Sequence, residues 1–380
     1  MHRHEIDLPG IGKSIESRIF VFVEVDTDEG VSGFGVTGSI MPWAIIACIE
    51  DHMKPALVGR DAYRIEQIHS HVWKKLNSRA YTGVVSNALA AIDIALWDIR
   101  GKKEGRSIHE LLGGFRDTVP TYATFGYPFF DERQLADYAL KFLADGHKML
   151  KMVVGGEPSC TWKDDVRRVK ATREAIGPDV ELMIDANCWF NPTDAYMLAR
   201  DIADCRVCWF EEPIEQNDAR ALADFRRRVS MPVAAGQMEG HRWRSRELIL
   251  HHAVDVIQPN VLYHGGFTET VKIGHMAQAF NLPMANGGGW PIFNMHHLCG
   301  LMNGGPVEFH YGMWQTGKHF FDGAPDPVDG KLTLSGRPGL GFTPNRDALE
   351  NACLTDAKDS LFEGRDSHGY LLREAIEQRG

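Results

Sequence analysis

From about residue 118 onward the chain alternates short apolar runs with longer amphipathic stretches, and this recurrence limits the fold more than any other feature. The runs VPTYAT, MLKMVV, VELMIDA, RVCWFEE, MPVAAG, VDVIQ, LPMAN and PVEFH have strand length and composition, and the intervening segments have helical periodicity. Eight such units without a long interruption point to parallel strands closed into a barrel rather than an open sheet. Four runs end in polar residues that a buried strand has no structural reason to keep: Lys151, Asp185, Glu211 and Gln237. The last three stand at an even spacing of one strand and one helix. Equivalent positions on successive barrel strands converge at the C-terminal end, where barrel active sites sit. Three converging oxygen side chains fit a hard cation, most simply Mg²⁺ with waters completing its shell. The competing reading pairs each carboxylate with a nearby lysine or makes it a helix cap.

A barrel takes about 250 residues, so a chain of 380 has room for a second domain. Residues 18–38 alternate around Asp28-Glu29-Gly30, as an antiparallel hairpin does. A helical pattern follows from about 43 to 115, with Gly101 and Gly113 as stops. The segment from about 320 to 380 is turn-rich, then weakly helical, and is expected to fold back over the first domain. A formal net charge of -10 disfavours nucleic acid, leaving a small molecule as the expected partner. No run approaches the roughly 18 apolar residues of a membrane span, and the opening MHRHEIDLPGIGK lacks an apolar signal core, so no membrane partner and a cytoplasmic location are expected. The seven cysteines are scattered, and the single C-x-x-C pair, Cys205 and Cys208, reads as structural thiols rather than a redox or zinc site.

Three further motifs carry a resemblance. The stretch from Ala90 to Asp98, continuing to Leu111-Leu-Gly-Gly114, together with Met183-Ile-Asp-Ala-Asn187 and Trp209-Phe-Glu-Glu-Pro213, resembles the mandelate racemase and muconate lactonizing enzymes of the enolase superfamily, in the mandelate racemase-like branch. The resemblance implies an α/β chain: an N-terminal α+β capping domain over 1–115, a modified (β/α)₇β TIM-like barrel over 116–320, and a C-terminal segment, 321–380, that packs on the cap. It also implies a homo-oligomer and Mg²⁺ chemistry on a small carboxylate substrate through an enolate. Asp185 and Glu211 match the first two metal ligands. Gln237 stands where the third, a glutamate, is usual, and Glu239 two residues on is the alternative. Lys151 matches the first lysine of a Lys-x-Lys pair, Glu308 a group that donates to the substrate carboxylate, and Asn187 a substrate-facing position.

Departures from the family pattern lie where its bases should be. Val153 replaces the second lysine, Asn260 an aspartate and Asn286-Gly287 a histidine, so Asn260 and Asn286 are read as substrate contacts. Two-base racemisation is therefore disfavoured. Dehydration or cyclisation on one face needs a single proton carrier; Lys151 is the retained candidate if its pKa falls toward neutrality, and a purely electrostatic lysine is the alternative. Substitute histidines lie near strand ends at His241, His264, His296, His297 and His310, with His264 ranked first. Lys13 and Arg18 are candidates to reach over the barrel mouth. The expected function is a Mg²⁺-dependent dehydratase or cycloisomerase of a sugar-derived hydroxy acid. The alternatives are a racemase or epimerase with substitute bases, or a non-catalytic barrel that binds acid sugars.

Overall fold

The computed structural model describes residues 2–8, 12–38, 40–76 and 83–354. The first domain contains two antiparallel hairpins, β1 (His2–Leu8) with β2 (Gly12–Arg18) and β3 (Val21–Asp26) with β4 (Ser32–Thr37). Alternation predicts the second hairpin, and its turn is closed by Thr27, whose hydroxyl donates to the Val31 carbonyl and accepts from the Val31 N–H. Strand β4 lies directly on the long helix Val84–Glu104. A Cβ on Gly33 would stand 2.2 Å from the Ala95 carbonyl oxygen, and one on Gly35 would stand 2.0 Å from that of Ala91. Glycine is thus required at both positions for strand and helix to touch.

The second domain is the parallel barrel. Its strands are β5 (Thr118–Phe125), β6 (Met149–Val153), β7 (Glu181–Asp185), β8 (Val207–Glu211), β9 (Val233–Ala235), β10 (Val256–Ile257) and β11 (Val307–His310). They pair in chain order, and β11 returns to pair with β5. The run LPMAN does not form a ladder strand. Only isolated bridges join Met284 to Ile257 on one side and Gly304 on the other, because Pro283 has no N–H to give and three glycines follow Asn286. These bridges take the seventh place in the barrel.

Period-two alternation decides what faces inward. Leu150, Met152, Leu182, Ile184 and Phe210 pack outward in the cluster shared with the surrounding helices. Tyr122, Met183, Trp209, Ala234 and Ala285 pack in the separate interior cluster. Parallel register sets Val153 beside Asp185, and Asp185 beside Glu211.

After the barrel, β12 (Phe321–Asp322) passes to β13 (Lys331–Thr333), which pairs with the start of β5, and to β14 (Thr343–Pro344), which pairs with β12. Phe321 and Phe342 pack on Phe34 of the first domain with ring centroids 5.4 and 5.8 Å away, and Arg346 pairs with Glu24. Residues 355–380, the remainder of the segment expected to pack on the cap, lie outside the described residues. Among those described, no helix is long and apolar enough to cross a membrane.

Candidate active site

Lys151 lies at the centre of the barrel mouth and is 1% exposed. Its ammonium stands 2.7 Å from Glu211 Oε1 and 2.9 Å from both Asp185 Oδ2 and Glu308 Oε1, with the Tyr122 ring 5.2 Å away. Strand alternation explains the convergence: each of these side chains occupies an inward position on its strand, Asp185 and Glu211 at the strand ends. Glu211 Oε2 accepts from Gln258 Nε2 at 2.8 Å and Trp209 Nε1 at 3.2 Å, and the Asn187 N–H donates to Asp185 Oδ1 at 2.9 Å.

Burial alone would lower the Lys151 pKa, but Asp185, Glu211 and Glu308 outweigh it and hold the group well above the ordinary lysine value. With no cation beside them, these three carboxylates oppose the fall toward neutrality that a proton-carrying lysine requires. Glu211 is pushed well above the usual range by burial and then by Asp185. Glu308 goes the other way, since Lys151, the Thr124 hydroxyl and His310 more than reverse the effect of burial. Glu308 accepts from Lys151, from Thr124 and, at 2.6 Å, from the Gly289 N–H. Both its oxygens accept in this arrangement, whereas the resemblance implies a donor to the substrate carboxylate.

Gln237 Nε2 donates to Glu212 Oε2 at 2.9 Å. Its oxygen faces the glycine loop: a Cβ on Gly287 would stand 2.7 Å from Gln237 Oε1 and 3.0 Å from Glu211 Oε1. Glu239 is tied elsewhere, to Arg244 Nε at 2.9 Å and Asn217 Nδ2 at 3.1 Å. Among the described residues no three His, Cys, Asp or Glu side chains form a ready cation cage. The residues nevertheless fit a divalent ion. Three buried acidic side chains, Asp185, Glu211 and Glu308, share one ammonium, and the Gln237 oxygen lies against the same glycine, Gly287, as Glu211 Oε1.

Several sequence candidates turn out to build the frame. Asn260 Nδ2 donates to the Gly287 carbonyl at 2.7 Å and its Oδ1 accepts from the Leu262 N–H at 2.9 Å. Asn286 Oδ1 accepts from the Glu308 N–H at 2.9 Å, and its Nδ2 donates to the Gly289 carbonyl at 3.1 Å. Both amides thus pin the 287–289 loop and the Glu308 strand. His264 is fully buried, its Nδ1 stands 3.2 Å from the Asn260 carbonyl oxygen, and burial lowers its pKa to about 4. The structure does not bring it to the Lys151 cluster. His296 and His297 are buried and lowered to about 3, and His241 caps the helix Arg242–Leu250. Burial raises both Cys205 and Cys208, the reverse of a reactive dithiol.

Three groups at the site have no signal in the sequence, Tyr122, Glu212 and Gln258, whereas the candidates Arg18 and His310 are brought together. His310 lies two residues beyond Glu308 on the same strand face, and its Nε2 stands 3.3 Å from an Arg18 guanidinium nitrogen. Both line a cavity of about 30 Å³ with Thr124, Tyr127 and Tyr311. Thr37 Oγ1 donates to the Leu262 carbonyl at 2.8 Å, so residues of the first domain reach the barrel mouth.

A capped parallel barrel with a buried lysine and carboxylates at its C-terminal strand ends defines an enzyme of the (β/α)-barrel class. Residues 11–113 match the mandelate racemase / muconate lactonizing enzyme N-terminal domain, and residues 134–348 match the enolase C-terminal domain-like family. The chain belongs to the mandelate racemase and muconate lactonizing enzyme family of the enolase superfamily. It is 32% identical to D-galactarolactone cycloisomerase of Agrobacterium fabrum, over 93% of this chain and 97% of that protein. It is 30% identical to arabinonate dehydratase of Saccharolobus solfataricus, over 85% of this chain and 87% of that one. A racemase structure from Streptomyces coelicolor A3(2) with bound magnesium superimposes with a TM-score of 0.83 at 26% identity, covering 93% of this chain and 98% of that one.

Proposed function

We propose that the chain is a Mg²⁺-dependent dehydratase or cycloisomerase of an acid sugar. The observation that carries this reading is the Lys151 ammonium held among Asp185, Glu211 and Glu308, with Val153, Asn260 and Gly287 at the places of the two-base apparatus. Asp185, Glu211 and Gln237 would hold the ion, which when bound supplies electrophilic stabilisation to the negative charge that develops when a carbon acid loses its proton. Lys151 adds a fixed positive charge and a donor at that charge, and can protonate a departing oxygen. Glu308, fixed by Thr124 and Gly289, orients the ammonium. His310, the histidine beside Glu308, is assigned the α-proton, and Arg18 a polar end of the substrate chain. A dehydratase and a cycloisomerase among the relatives support the reaction class.

The test is incubation with Mg²⁺ and a broad panel of acid sugars in D₂O. A carbonyl product or α-deuterium exchange with at least one member is expected, and neither across the panel would overturn the proposal. With an active substrate in hand, His310→Asn should lower kcat by a factor of about 10² to 10⁴, the range for losing a proton carrier. Arg18→Leu should instead raise KM roughly tenfold, the effect of one lost charge-assisted hydrogen bond. Steady-state kinetics separate the two.

A further inference from the structure

We infer that Glu212 is a positioning residue for Gln237, holding its amide so that the oxygen, and not the NH₂, is presented beside Glu211. The inference rests on reading Asp185, Glu211 and Gln237 as the cation site. A glutamine amide has an accepting end and a donating end of nearly the same shape. At a cation site it serves only if something decides which end faces the ion. Glu212 makes that decision by placing an acceptor oxygen opposite the amide nitrogen, its other oxygen being taken by the Asn217 amide. With its Oε2 2.9 Å from Gln237 Nε2, the amide oxygen is left facing Gly287 and Glu211.

Glu212 is itself fixed. Its Oε1 accepts from Asn217 Nδ2 at 2.8 Å. The same nitrogen reaches Glu239 Oε1 at 3.1 Å, and Glu239 Oε2 accepts from Arg244 Nε at 2.9 Å. Donors and acceptors therefore connect without conflict from Arg244, at the half-exposed end, to Gln237 at the mouth. Glu212, Asn217, Glu239 and Gln237 are all buried, where the low local dielectric strengthens each of these hydrogen bonds. Backbone geometry puts Glu212 in reach. Its φ of 41° breaks the strand alternation that would otherwise carry the side chain following Glu211 to the outside of the barrel.

A carboxylate has no wrong end, and that supplies the test. Mn²⁺ binding to the full chain is measured by electron paramagnetic resonance for wild type, Glu212→Leu, Gln237→Glu and the double variant, with the melting temperature of each recorded without metal. Glu212→Leu is expected to weaken binding about tenfold when Gln237 is present, the equivalent of one charged hydrogen bond. In the Gln237→Glu background the same change should cost less than about threefold, only the charge term remaining. Equal losses in both backgrounds would overturn the positioning role while leaving the cation site standing. Absence of Mn²⁺ binding by wild type would overturn the cation reading and this inference with it. Glu212→Gln, which keeps the shape, repeats the cycle should the leucine variant fail to fold, with the same inequality between backgrounds expected.

Discussion

Lys151→Met should lower kcat/KM by a factor of about 10² to 10⁴, and should destabilise the fold in a way that depends on pH. The first effect follows from removing the one ammonium that reaches Asp185, Glu211 and Glu308 together. The second follows from what is left behind. Three buried carboxylates without their counter-charge cannot all remain ionised, and breaking such a buried arrangement costs about 3–5 kcal/mol. Protonation relieves that cost, so the gap in melting temperature between variant and wild type should be wide at pH 8 and narrow at pH 5. Mg²⁺ should narrow it at pH 8, because a dication replaces the missing charge. Thermal melts with and without Mg²⁺ at both pH values check this. An unchanged gap across pH would show that the carboxylates do not rely on the ammonium. Lys151→Arg should not rescue activity, since the planar guanidinium needs more room than a site that is 1% exposed leaves it.

The fold was legible in the sequence where one physical rule acted alone. Barrel strands buried on both faces read as apolar runs, and the inward phase of Lys151, Asp185 and Glu211 follows from counting by twos. The site was less legible where the chain leaves the strand. Glu212 follows Glu211 directly, and alternation sends it outward; its left-handed backbone returns it to the mouth beside Gln237. Asn187, at φ 46°, makes the same kind of exit after Asp185 and so gives its backbone N–H to that carboxylate. His264 and His310 show a second limit. Both follow strand ends by a few residues, but His264 lies in a turn that folds onto the Asn260 backbone, whereas His310 continues the face of Glu308. Distance along the chain does not separate these outcomes; strand register does. The Asn260 and Asn286 amides illustrate a third limit. A glycine run at 287–289 exposes carbonyls that need donors, and nearby asparagines satisfy the backbone before any substrate.

Glu212 carries the second large effect, on stability against pH. Burial and the nearby Asp185 charge raise its pKa from 4.5 to about 7, against the smaller opposing effects of Gln237 and Asn217. A carboxyl group whose folded pKa is raised binds its proton more tightly in the folded chain. Its contribution to stability is therefore fully present below pH 4.5 and is lost as pH rises through 7. The whole loss is about 3 kcal/mol. His264, His296 and His297 act in the opposite sense, because their folded pKa values are lowered to about 4, 3 and 3. They stabilise above pH 6.5, and that contribution is lost as pH falls. The two trends overlap between pH 4.5 and 6.5, so the wild-type profile alone does not separate them. The difference between wild type and Glu212→Gln does, since the histidine contribution cancels. Urea denaturation of the chelator-treated proteins from pH 4.5 to 8 should show the variant gaining on wild type by about 3 kcal/mol across the range. Saturating Mg²⁺ should shrink that gain, because a dication beside Asp185 offsets the repulsion that raises Glu212. A difference that stays flat with pH would mean that Glu212 is ionised in the folded chain at no cost, compensated by its two amide partners alone.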